Sequence, residues 1–426
     1  MTIEMEVPPA ETGPARLPRL LPPVPVRGLR AHDERYGPVR LCGEALIAEV
    51  ERSGLTGRGG AAFPAGRKLR SVADRAGRRG AVLIANGMES EPLSAKDASL
   101  LARAPHLVLD GIALAAEAVG ADQAYLCVHR PGQAEELSAA AAERAGRDAV
   151  TIALLPDRYV ASEASALVNY LNGGPAVPLF TPPRPFERGV RGRPTLVSNV
   201  ETLANVALIS RHGAGWFRSA GAPDAPGSAL VTVTGAVRRP GVHEIALGTP
   251  LRDVLALAGV SGTSDAQAVL AGGYFGSWLP GRIALGVPAS APGLRAAGAS
   301  FGAGILMVLP PAGCGLAETA RVIRYLAGQS AGQCGPCLHG LPEIATAMER
   351  LAFGGGPGRA VRALTELCAL VEGRGACHLP GGVARLAASA LRVFSDDVRH
   401  HQRGPCAGAR GRAAFWVPPA GPGERA

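Results

Sequence analysis

Two lysines and a glycine-rich loop mark the segment of this sequence best suited to hold an anion. Of the 44 basic residues only Lys68 and Lys96 are lysine, and both lie in one short region. Lysine offers a compact ammonium on a flexible stem, which arginine does not replace where a point charge is needed. The loop before Lys68 contains four glycines, whose N–H groups can approach a phosphate closely. We predict phosphate binding here; the alternative is an ordinary turn between strand and helix.

Polar residues follow a predicted buried strand just beyond this loop. Residues 81–85 are an apolar run bounded by glycines, which is typical of a strand in a parallel sheet. Asn86, Glu89 and Glu91 come directly after it. Open α/β sheets bind ligands at the carboxyl ends of their strands, so we expect this amide and these carboxylates to line a pocket.

Two later segments carry a similar set of side chains. Tyr159 and Glu163 lie in YVASEASAL, which predicts a helix capped by Ser162. Asn199 and Thr202 lie in RPTLVSNVETLAN. In this order the glycine loop, the ESEP corner at residues 89–92 and these two segments resemble the flavin- and NADH-binding subunit of respiratory complex I, the family of the 51 kDa or F subunit. Its relatives occur in NAD-reducing hydrogenases and formate dehydrogenases. The resemblance covers nearly the whole chain.

The resemblance implies a Rossmann-like domain in which FMN lies against the glycine loop and NADH or NADPH stacks above it. Hydride transfer would take place on the flavin, without a catalytic side chain. The residues implied to hold phosphates are Gly57, Arg58, Gly59, Gly60 and Lys68. Those implied to line the flavin ring and ribityl chain are Asn86, Glu89, Glu91, Tyr159, Glu163, Asn199 and Thr202. Phe63 is implied to stack on the nicotinamide nucleotide.

The sequence departs from the family pattern inside the pocket. Met88 stands where the family has Asp, Leu93 where it has Gly, and Ser198 where it has Asn. Ala164 replaces a glutamate near the adenosine ribose, and Arg184 replaces an aromatic residue. Losing a carboxylate and gaining an arginine both favour a 2′-phosphate. We therefore expect NADPH to be accepted beside NADH.

The eight cysteines are not spaced as a disulfide framework. Cys334 and Cys337 form a CxxC pair at the start of a predicted helix, and Cys377 follows a glycine-framed turn. In a cytosolic chain such a group indicates a metal or redox site. We interpret Cys42 and Cys127 as buried small hydrophobic residues.

At this place the resembling family holds a [4Fe–4S] cluster on CxxCxxC and a fourth cysteine about 40 residues later. Here the first position is Ala331, and three thiolates do not complete the cluster. We predict Cys368, on the preceding helix, as the fourth ligand beside Cys334, Cys337 and Cys377. His378 is the alternative, because imidazole can replace a thiolate. A CxxC thiol pair with no cluster also remains open.

Composition narrows the range of partners. The net charge is +9 and the pI about 9.5, but aromatic residues make up only 4% and no nucleic-acid-binding motif is present. We therefore expect no nucleic acid partner. The basic charge either attracts an acidic electron-transfer protein, such as a ferredoxin, or has no functional meaning. Other subunits of an oxidoreductase complex are the further expected partners.

Membrane insertion is not expected. Residues 296–317 carry no charge, but Pro310 and Pro311 interrupt them, so we predict a buried strand at residues 305–309. The N-terminus lacks the basic start and apolar stretch of a secretion signal. The expected location is cytoplasmic, peripheral to a membrane only through partner subunits.

Breaks in pattern divide the chain into five predicted parts. Amphipathic helices such as residues 98–119 alternate with strands in the first half, which is typical of a parallel sheet. Strand, Pro-Gly turn, strand and a helix capped by Thr249 predict a module that resembles the soluble-ligand-binding β-grasp (SLBB) domain of the same family. Helical spacing near the C-terminus predicts a four-helix bundle, at residues 317–327, 341–352, 360–372 and 382–394. The parts are a proline-rich arm (1–36), an α/β Rossmann-like domain for FMN and nicotinamide nucleotide (37–228), a β-grasp domain (229–310), a helical iron–sulfur domain (311–402) and a disordered tail (403–426).

Together these features predict an NAD(P)H dehydrogenase-type flavoprotein that passes single electrons through an iron–sulfur cluster to a partner. Two other classes stay open. One is a non-catalytic structural or relay subunit with a degenerate flavin pocket. The other is a ligand-binding module acting through the β-grasp domain, which would be colourless.

Overall fold

The chain folds into a parallel α/β unit, a β-grasp sheet and a helical bundle, in the predicted order. The structure is a computed structural model, and it describes residues 17–144, 150–354, 357–401 and 403–419. The first 16 residues of the predicted arm and residues 420–426 of the predicted tail lie outside the described residues.

A four-stranded parallel sheet forms the centre of the first unit. Its strands are β1 (Ala81–Asn86), β2 (Ala121–Val128), β3 (Val150–Leu154) and β4 (Thr195–Asn199). They lie in the order β3-β2-β1-β4. The first five residues of β1 are buried, as expected of a strand with both faces covered. The direction of winding changes between β1 and β4, which is where open α/β sheets bind ligands.

Helices of the first unit cover this sheet. They are α1 (Leu29–Tyr36), α2 (Gly43–Ser53), α3 (Ala65–Ala76), α4 (Lys96–Arg103), α5 (Pro105–Val119), α6 (Pro131–Ala142), α7 (Ala164–Leu171) and α8 (Val200–Arg218). The packing of α5 on α8 requires a glycine, because a Cβ on Gly111 would lie 2.0 Å from the carbonyl oxygen of Leu203. Because α8 begins directly after β4, which pairs with β1, the start of α8 lies beside the end of β1.

The helix predicted at residues 98–119 is instead two helices, α4 and α5. Ala104 separates them because it precedes Pro105, and a residue before proline is disfavoured in the helical region. Among the described residues no single helix is long and apolar enough to cross a bilayer. Taken together, α4 and α5 are long and apolar enough by length and composition alone, but the pair is bent by 97°.

The second unit is a five-stranded mixed sheet. Its strands are β7 (Ser228–Gly235), β8 (Gly241–Ala246), β9 (Ala268–Ala271), β10 (Ser277–Pro280) and β11 (Ile305–Leu309), preceded by the short pair β5 (Gly221–Ala222) and β6 (Ala225–Pro226). The order is β10-β9-β11-β7-β8, with β11 parallel to β7. The helices are α9 (Leu251–Leu257), α10 (Gly281–Ala284) and α11 (Ala291–Ala296).

Two expectations for this unit have different outcomes. The strand predicted at residues 305–309 is confirmed as β11, and all of its residues are buried. The helix cap predicted at Thr249 is wrong, because α9 begins after Pro250 and no side chain caps it. The Thr249 hydroxyl instead donates to the carbonyl oxygen of Ala246 at 2.7 Å, which closes the turn after β8.

The third unit is the predicted bundle of four helices. They are α12 (Gly315–Gly328), α13 (Leu341–Phe353), α14 (Pro357–Val371) and α15 (Leu379–Val393), followed by the shorter α16 (Ser395–His401) and α17 (Ala407–Arg410). A π-helical turn, Pro336–Gly340, leads into α13. α14 packs closely on this turn, since a Cβ on Gly340 would lie 2.4 Å from the Val371 side chain.

The described residues of the N-terminal arm and of the C-terminal tail both pack against the three folded units. In the arm, the backbone N–H groups of Arg19 and Leu20 donate to Glu244 at 2.9 and 2.8 Å. In the tail that composition predicts to be disordered, Phe415 is buried and stacks on Trp278 with ring centroids 5.8 Å apart. One aromatic side chain outweighs the glycine-rich composition here, because burying it removes a large apolar surface from water.

Candidate functional site

Two asparagines meet at the carboxyl ends of neighbouring strands. Asn86 ends β1 and pairs in register with Asn199, which ends β4. The Asn86 amide donates to the carbonyl oxygen of Ser162 at 2.9 Å, and the Asn199 amide donates to Asp97 at 2.7 Å. The Asn199 carbonyl also accepts from the Glu201 N–H at 3.0 Å and so caps α8. The sheet edge thus gathers polar groups from separate segments, as predicted.

The glycine loop lies over this edge. Gly60 has a φ of +109°, which residues with a side chain rarely adopt. A Cβ on Gly59 would lie 3.4 Å from the Cβ of Asn199, so the loop backbone runs close above the strand end. The N–H of Arg58 donates to the Thr202 hydroxyl at 2.9 Å, which ties the loop to the first turn of α8.

The Arg58 side chain holds the loop in place from beneath. It is buried, and its guanidinium donates to the carbonyl oxygens of Thr56 and Ser228, both at 3.0 Å. Its Nε lies 3.7 Å from the Glu201 carboxylate. The backbone N–H of Arg58 and both terminal nitrogens of its guanidinium thus donate to protein acceptors. This geometry favours a supporting role for Arg58 over direct contact with a phosphate.

Lys96 lies at the centre of a buried charge cluster. Its ammonium donates to Asp97 at 2.7 Å, to Glu201 at 2.9 Å and to Asn199 at 3.4 Å. Burial alone would lower the pKa of Lys96, but Asp97 and Glu201 hold it above its usual value. Asp97 and Glu201 are absent from the predicted site. The signal for them is the rare lysine itself, because a buried ammonium needs nearby carboxylates.

Lys68 is the lysine without such partners. Its ammonium, on α3, donates to the carbonyl oxygen of Val197 in β4. No carboxylate among the described residues forms an ion pair with it, and burial lowers the pKa of Lys68. Among the described residues the half-buried Lys68 side chain therefore faces a backbone carbonyl and no carboxylate, beside the glycine loop.

Glu89 serves the local fold. It has a φ of +35°, and its carboxylate accepts from the N–H groups of Asp97 and Ala98, both at 2.9 Å, and from the Ser94 hydroxyl at 2.7 Å. It therefore caps α4 from the loop that precedes this helix, where a carboxylate is stabilised by the helix N-terminus. Burial first, and then the charge of Asp97, raises the pKa of Glu89.

Glu91 and Tyr159 form a pair at the boundary of all three units. The Tyr159 hydroxyl donates to Glu91 at 2.7 Å, and the N–H of Tyr274 donates to the same carboxylate at 3.0 Å. Burial raises the pKa of Glu91 to about 7. The N–H of Tyr159 donates to Gln329, just after α12, at 3.1 Å. The pair therefore connects the sheet edge with the β-grasp unit and the bundle.

Phe63 lies in the glycine loop, with its side chain exposed. Its relative exposure is 48%, and the guanidinium of Arg67 lies 5.8 Å from the ring centroid. An exposed ring beside a polar cleft can stack on a planar ligand. The position is compatible with the predicted nucleotide contact.

Glu163 caps α7 and approaches the cysteines. Its carboxylate accepts from the N–H groups of Ser165 and Ala166 at 2.8 and 3.2 Å. The predicted serine cap is therefore wrong, because Ser162 lies one residue too early and its hydroxyl pairs with Ser90 at 2.5 Å. Burial raises the pKa of Cys377, and the Glu163 charge adds to the rise. α7 thus joins the sheet edge to the cysteine region.

Three of the predicted ligand cysteines come together. Burial raises the pKa of Cys337 to about 12, and the neighbouring thiols of Cys334 and Cys377 add to the rise. The backbone N–H of Ala331 opposes it by donating to the Cys337 sulfur. The residue at the missing ligand position therefore lies against the thiol group.

The other cysteines are more scattered. Cys368 is buried on α14, and burial raises its pKa to about 11, with Glu372 as the charged neighbour that adds to this rise. His378 is exposed at the N-cap of α15. Neither position decides the fourth ligand, so Cys368 stays a prediction. Cys127 is buried as expected, but the expectation for Cys42 is wrong, since it is exposed in the turn before α2.

Comparison with family models divides the chain in the same way. The Nuo51 FMN-binding domain matches residues 50–208, and the SLBB domain matches residues 230–268. The NADH-ubiquinone oxidoreductase-F iron-sulfur binding region matches residues 317–401. These matches coincide with the parallel sheet, the β-grasp sheet and the bundle.

Whole-chain comparisons agree with the family models. The NADH-quinone oxidoreductase F subunit numbered 2 in Rhizobium meliloti is 31% identical over 399 residues, with 89% of this chain and 93% of that protein covered. The corresponding F subunit of Mycobacterium bovis is 32% identical, with 84% and 85% covered. A crystal structure of the NAD⁺-reducing [NiFe]-hydrogenase in the H₂-reduced state has a TM-score of 0.80 and 31% identity, with 91% of this chain and 67% of that chain covered.

Proposed function

Because the chain belongs to the family of 51 kDa (F-type) subunits of NADH-quinone oxidoreductases, we propose that it oxidises a nicotinamide nucleotide and passes the electrons to a partner. The chemistry that a bound FMN would supply is acceptance of a hydride and release of the two electrons one at a time. The observation that carries the proposal is the glycine loop over the β1/β4 switch point, with the Lys68 ammonium facing no carboxylate among the described residues.

The residues present fit FMN. Gly60 has a backbone conformation that favours glycine, and a Cβ on Gly59 would reach the Asn199 side chain, so the loop is built for close approach. Lys68 supplies a cation for the phosphate. The polar groups of Asn86 and Asn199 would face the ring and ribityl chain, and Phe63 would stack on the nucleotide.

The residues present also supply three of the four ligands that a [4Fe–4S] cluster needs. Cys334, Cys337 and Cys377 supply the soft thiolates that iron–sulfur clusters use. We propose Cys368 as the fourth ligand, with His378 as the alternative. Because Ala331 supplies no thiolate, a [4Fe–4S] cluster held here would differ in potential or lability from one with four cysteine ligands.

The chain's own side chains orient and stabilise the bound groups. Lys96, Asp97 and Glu201 form a buried cluster that keeps the strand ends rigid beneath the loop. Glu163 caps α7, and its charge acts on the Cys377 thiol, so the start of α7 lies near the cysteines. Glu91, with a pKa of about 7, can hold or release a proton next to the pocket near neutral pH.

We further propose that the partner is an acidic electron-transfer protein or another subunit of an oxidoreductase complex, in the cytoplasm. The net charge of +9 supports an acidic partner, because complementary charge speeds association. The similar proteins are named as subunits of larger oxidoreductases, which supports assembly with other chains. Reduced thiols are typical of a cytoplasmic protein.

The variant Gly60→Ala tests the proposal. A Cβ at a φ of +109° strains the loop, so the purified variant should retain less FMN and reduce an artificial acceptor with NADH more slowly. Gly132→Ala is the matched control, because its Cβ would meet nothing within 4 Å. Equal FMN content and activity in both variants would contradict the proposed pocket.

A further inference from the structure

A second group of metal-ligand side chains lies away from the predicted cluster cysteines. Cys314, His401 and Cys406 place their ligand atoms within 4.8 Å of one another. The side chains of Cys314 and His401 are buried, with relative exposures of 1% and 2%. Cys314 precedes α12, whereas Cys334 follows it. The two groups therefore flank α12, a helix of 14 residues that is about 21 Å long.

The tautomer of His401 is set by its surroundings. Its Nδ1 lies 3.1 Å from the carbonyl oxygen of Leu351, which can only accept, so Nδ1 carries the hydrogen. Nε2 therefore presents its lone pair to Cys314 Sγ at 3.7 Å, and the N–H of Cys406 points at it from 3.4 Å. A histidine whose second nitrogen donates to a backbone carbonyl is typical of metal-bound imidazole.

The Cys314 sulfur has a backbone partner that opposes the rise in its pKa caused by burial. It accepts from the N–H of Ala317 at 3.4 Å and is the N-cap of α12. The N-terminus of a helix stabilises a thiolate. Cys406 occupies the N-cap position of α17, so both thiols lie at chain turns that bring them to the same imidazole.

We propose that Cys314, His401 and Cys406 bind one Zn²⁺, with water as the fourth ligand. Two thiolates and an imidazole form the donor set that zinc prefers, and a tetrahedral ion accepts three protein ligands and one water. Binding displaces the protons of the two thiols to solvent and changes no oxidation state. In the absence of metal the same atoms would form a thiol–imidazole hydrogen bond.

The ion would fasten the C-terminal segment to the bundle. Cys406 opens the stretch that ends in Phe415, which packs on Trp278. The N–H of Ala414 donates to Glu318 at 2.9 Å, in the first turn of α12. The three ligands come from the start of α12, the end of α16 and the start of α17, so one ion would connect all three.

Metal analysis of the full-length chain, purified anaerobically with zinc in the growth medium, tests the proposal. Wild type should hold about one zinc per chain. Cys314→Ser and Cys406→Ser should lower zinc content at least about tenfold and leave iron content unchanged. Cys42→Ser, at an exposed cysteine outside the group, is the matched control and should keep its zinc.

Cobalt gives a second readout that does not depend on tight zinc retention. Co²⁺ added to the zinc-free protein should produce thiolate-to-cobalt absorption in wild type and lose it in Cys406→Ser. Cys406 is only partly buried, so this variant tests the site even if Cys314→Ser fails to fold. A wild type without zinc or cobalt bands, or zinc that disappears in Cys334→Ser and persists in Cys406→Ser, would overturn the proposal.

Discussion

The Tyr159 hydroxyl donates a 2.7 Å hydrogen bond to the Glu91 carboxylate. Glu91 follows β1 in the sheet unit, and Tyr159 packs on Phe275 of the β-grasp unit with ring centroids 5.1 Å apart. A carboxyl whose protonation state can change therefore lies at the contact between the two units. Because the pKa of Glu91 is about 7, that state changes near neutral pH.

Stability should depend on pH through Glu91. Burial raises its pKa from 4.5 to about 7 in the folded protein, so the folded state binds the proton more tightly than the unfolded chain. The stabilisation is complete below about pH 4.5 and is lost as pH rises to about 7. Glu91→Gln should gain stability relative to wild type over that range, by about 1–3 kcal/mol.

The measurement is the melting temperature of the flavin-free protein between about pH 5 and about pH 8. Tyr159→Phe serves as the companion variant. The hydroxyl lowers the pKa of Glu91, so its removal should move the loss of stability to higher pH. Parallel pH profiles for wild type and Glu91→Gln would show that Glu91 does not titrate in this range.

Lys68→Ala should weaken FMN binding. Removing the cation from the phosphate should raise the Kd for FMN about tenfold to a hundredfold, equivalent to about 1.5–3 kcal/mol. Arg67→Ala is the control, because Arg67 is adjacent and exposed and the substitution removes the same charge. The Kd for FMN is measured by fluorescence titration. An equal rise in Kd in both variants would attribute FMN binding to general positive charge and exclude a specific contact by Lys68.

Serine substitutions should identify the cluster ligands. Cys334→Ser, Cys337→Ser and Cys377→Ser should each abolish or strongly alter the EPR signal of the reduced protein, since each removes a thiolate. Cys368→Ser should do the same if Cys368 is the fourth ligand. An unchanged spectrum for Cys368→Ser would rule that residue out and direct the search to His378. Cys42→Ser and Cys127→Ser are the controls and should leave the signal intact.

Nucleotide selectivity should be relaxed. Ala164 begins α7 directly after Glu163, where the family pattern has a second carboxylate. Arg184 and Arg188 are exposed in a loop at residues 175–194 that is rich in proline. NADPH should be accepted within about tenfold of NADH in kcat/KM, a difference of about 1.4 kcal/mol. Ala164→Glu should restore preference for NADH. Thousandfold rejection of NADPH by wild type, or no effect of the glutamate, would mean that Ala164 does not face the ribose.

The sequence predicts strands and helices well where one pattern dominates. The apolar run of β1 and the apolar spacing of the four bundle helices are sufficient to locate these elements. The meeting of Asn86 and Asn199 follows from the rule that parallel strands end at the same edge. Local periodicity and topology determine all of these features.

Features that depend on distant partners are not predictable in this way. Glu89 caps α4 from a loop, and Glu201 neutralises Lys96 from another helix, so neither role leaves a local pattern. Cys314 and Cys406 are far apart in sequence and become neighbours only when the chain folds back after α16. Ala104 is the opposite case, because the proline after it is visible in the sequence but the helical pattern runs through it.

The most direct test of the proposed electron transfer is the visible absorption spectrum of the anaerobically purified protein, before and after addition of NADH. The spectrum should show flavin and iron–sulfur absorption, and NADH should bleach the flavin band within the mixing time. A colourless protein, or a flavin band that NADH and NADPH both leave unchanged, would contradict the proposal that this chain oxidises a nicotinamide nucleotide.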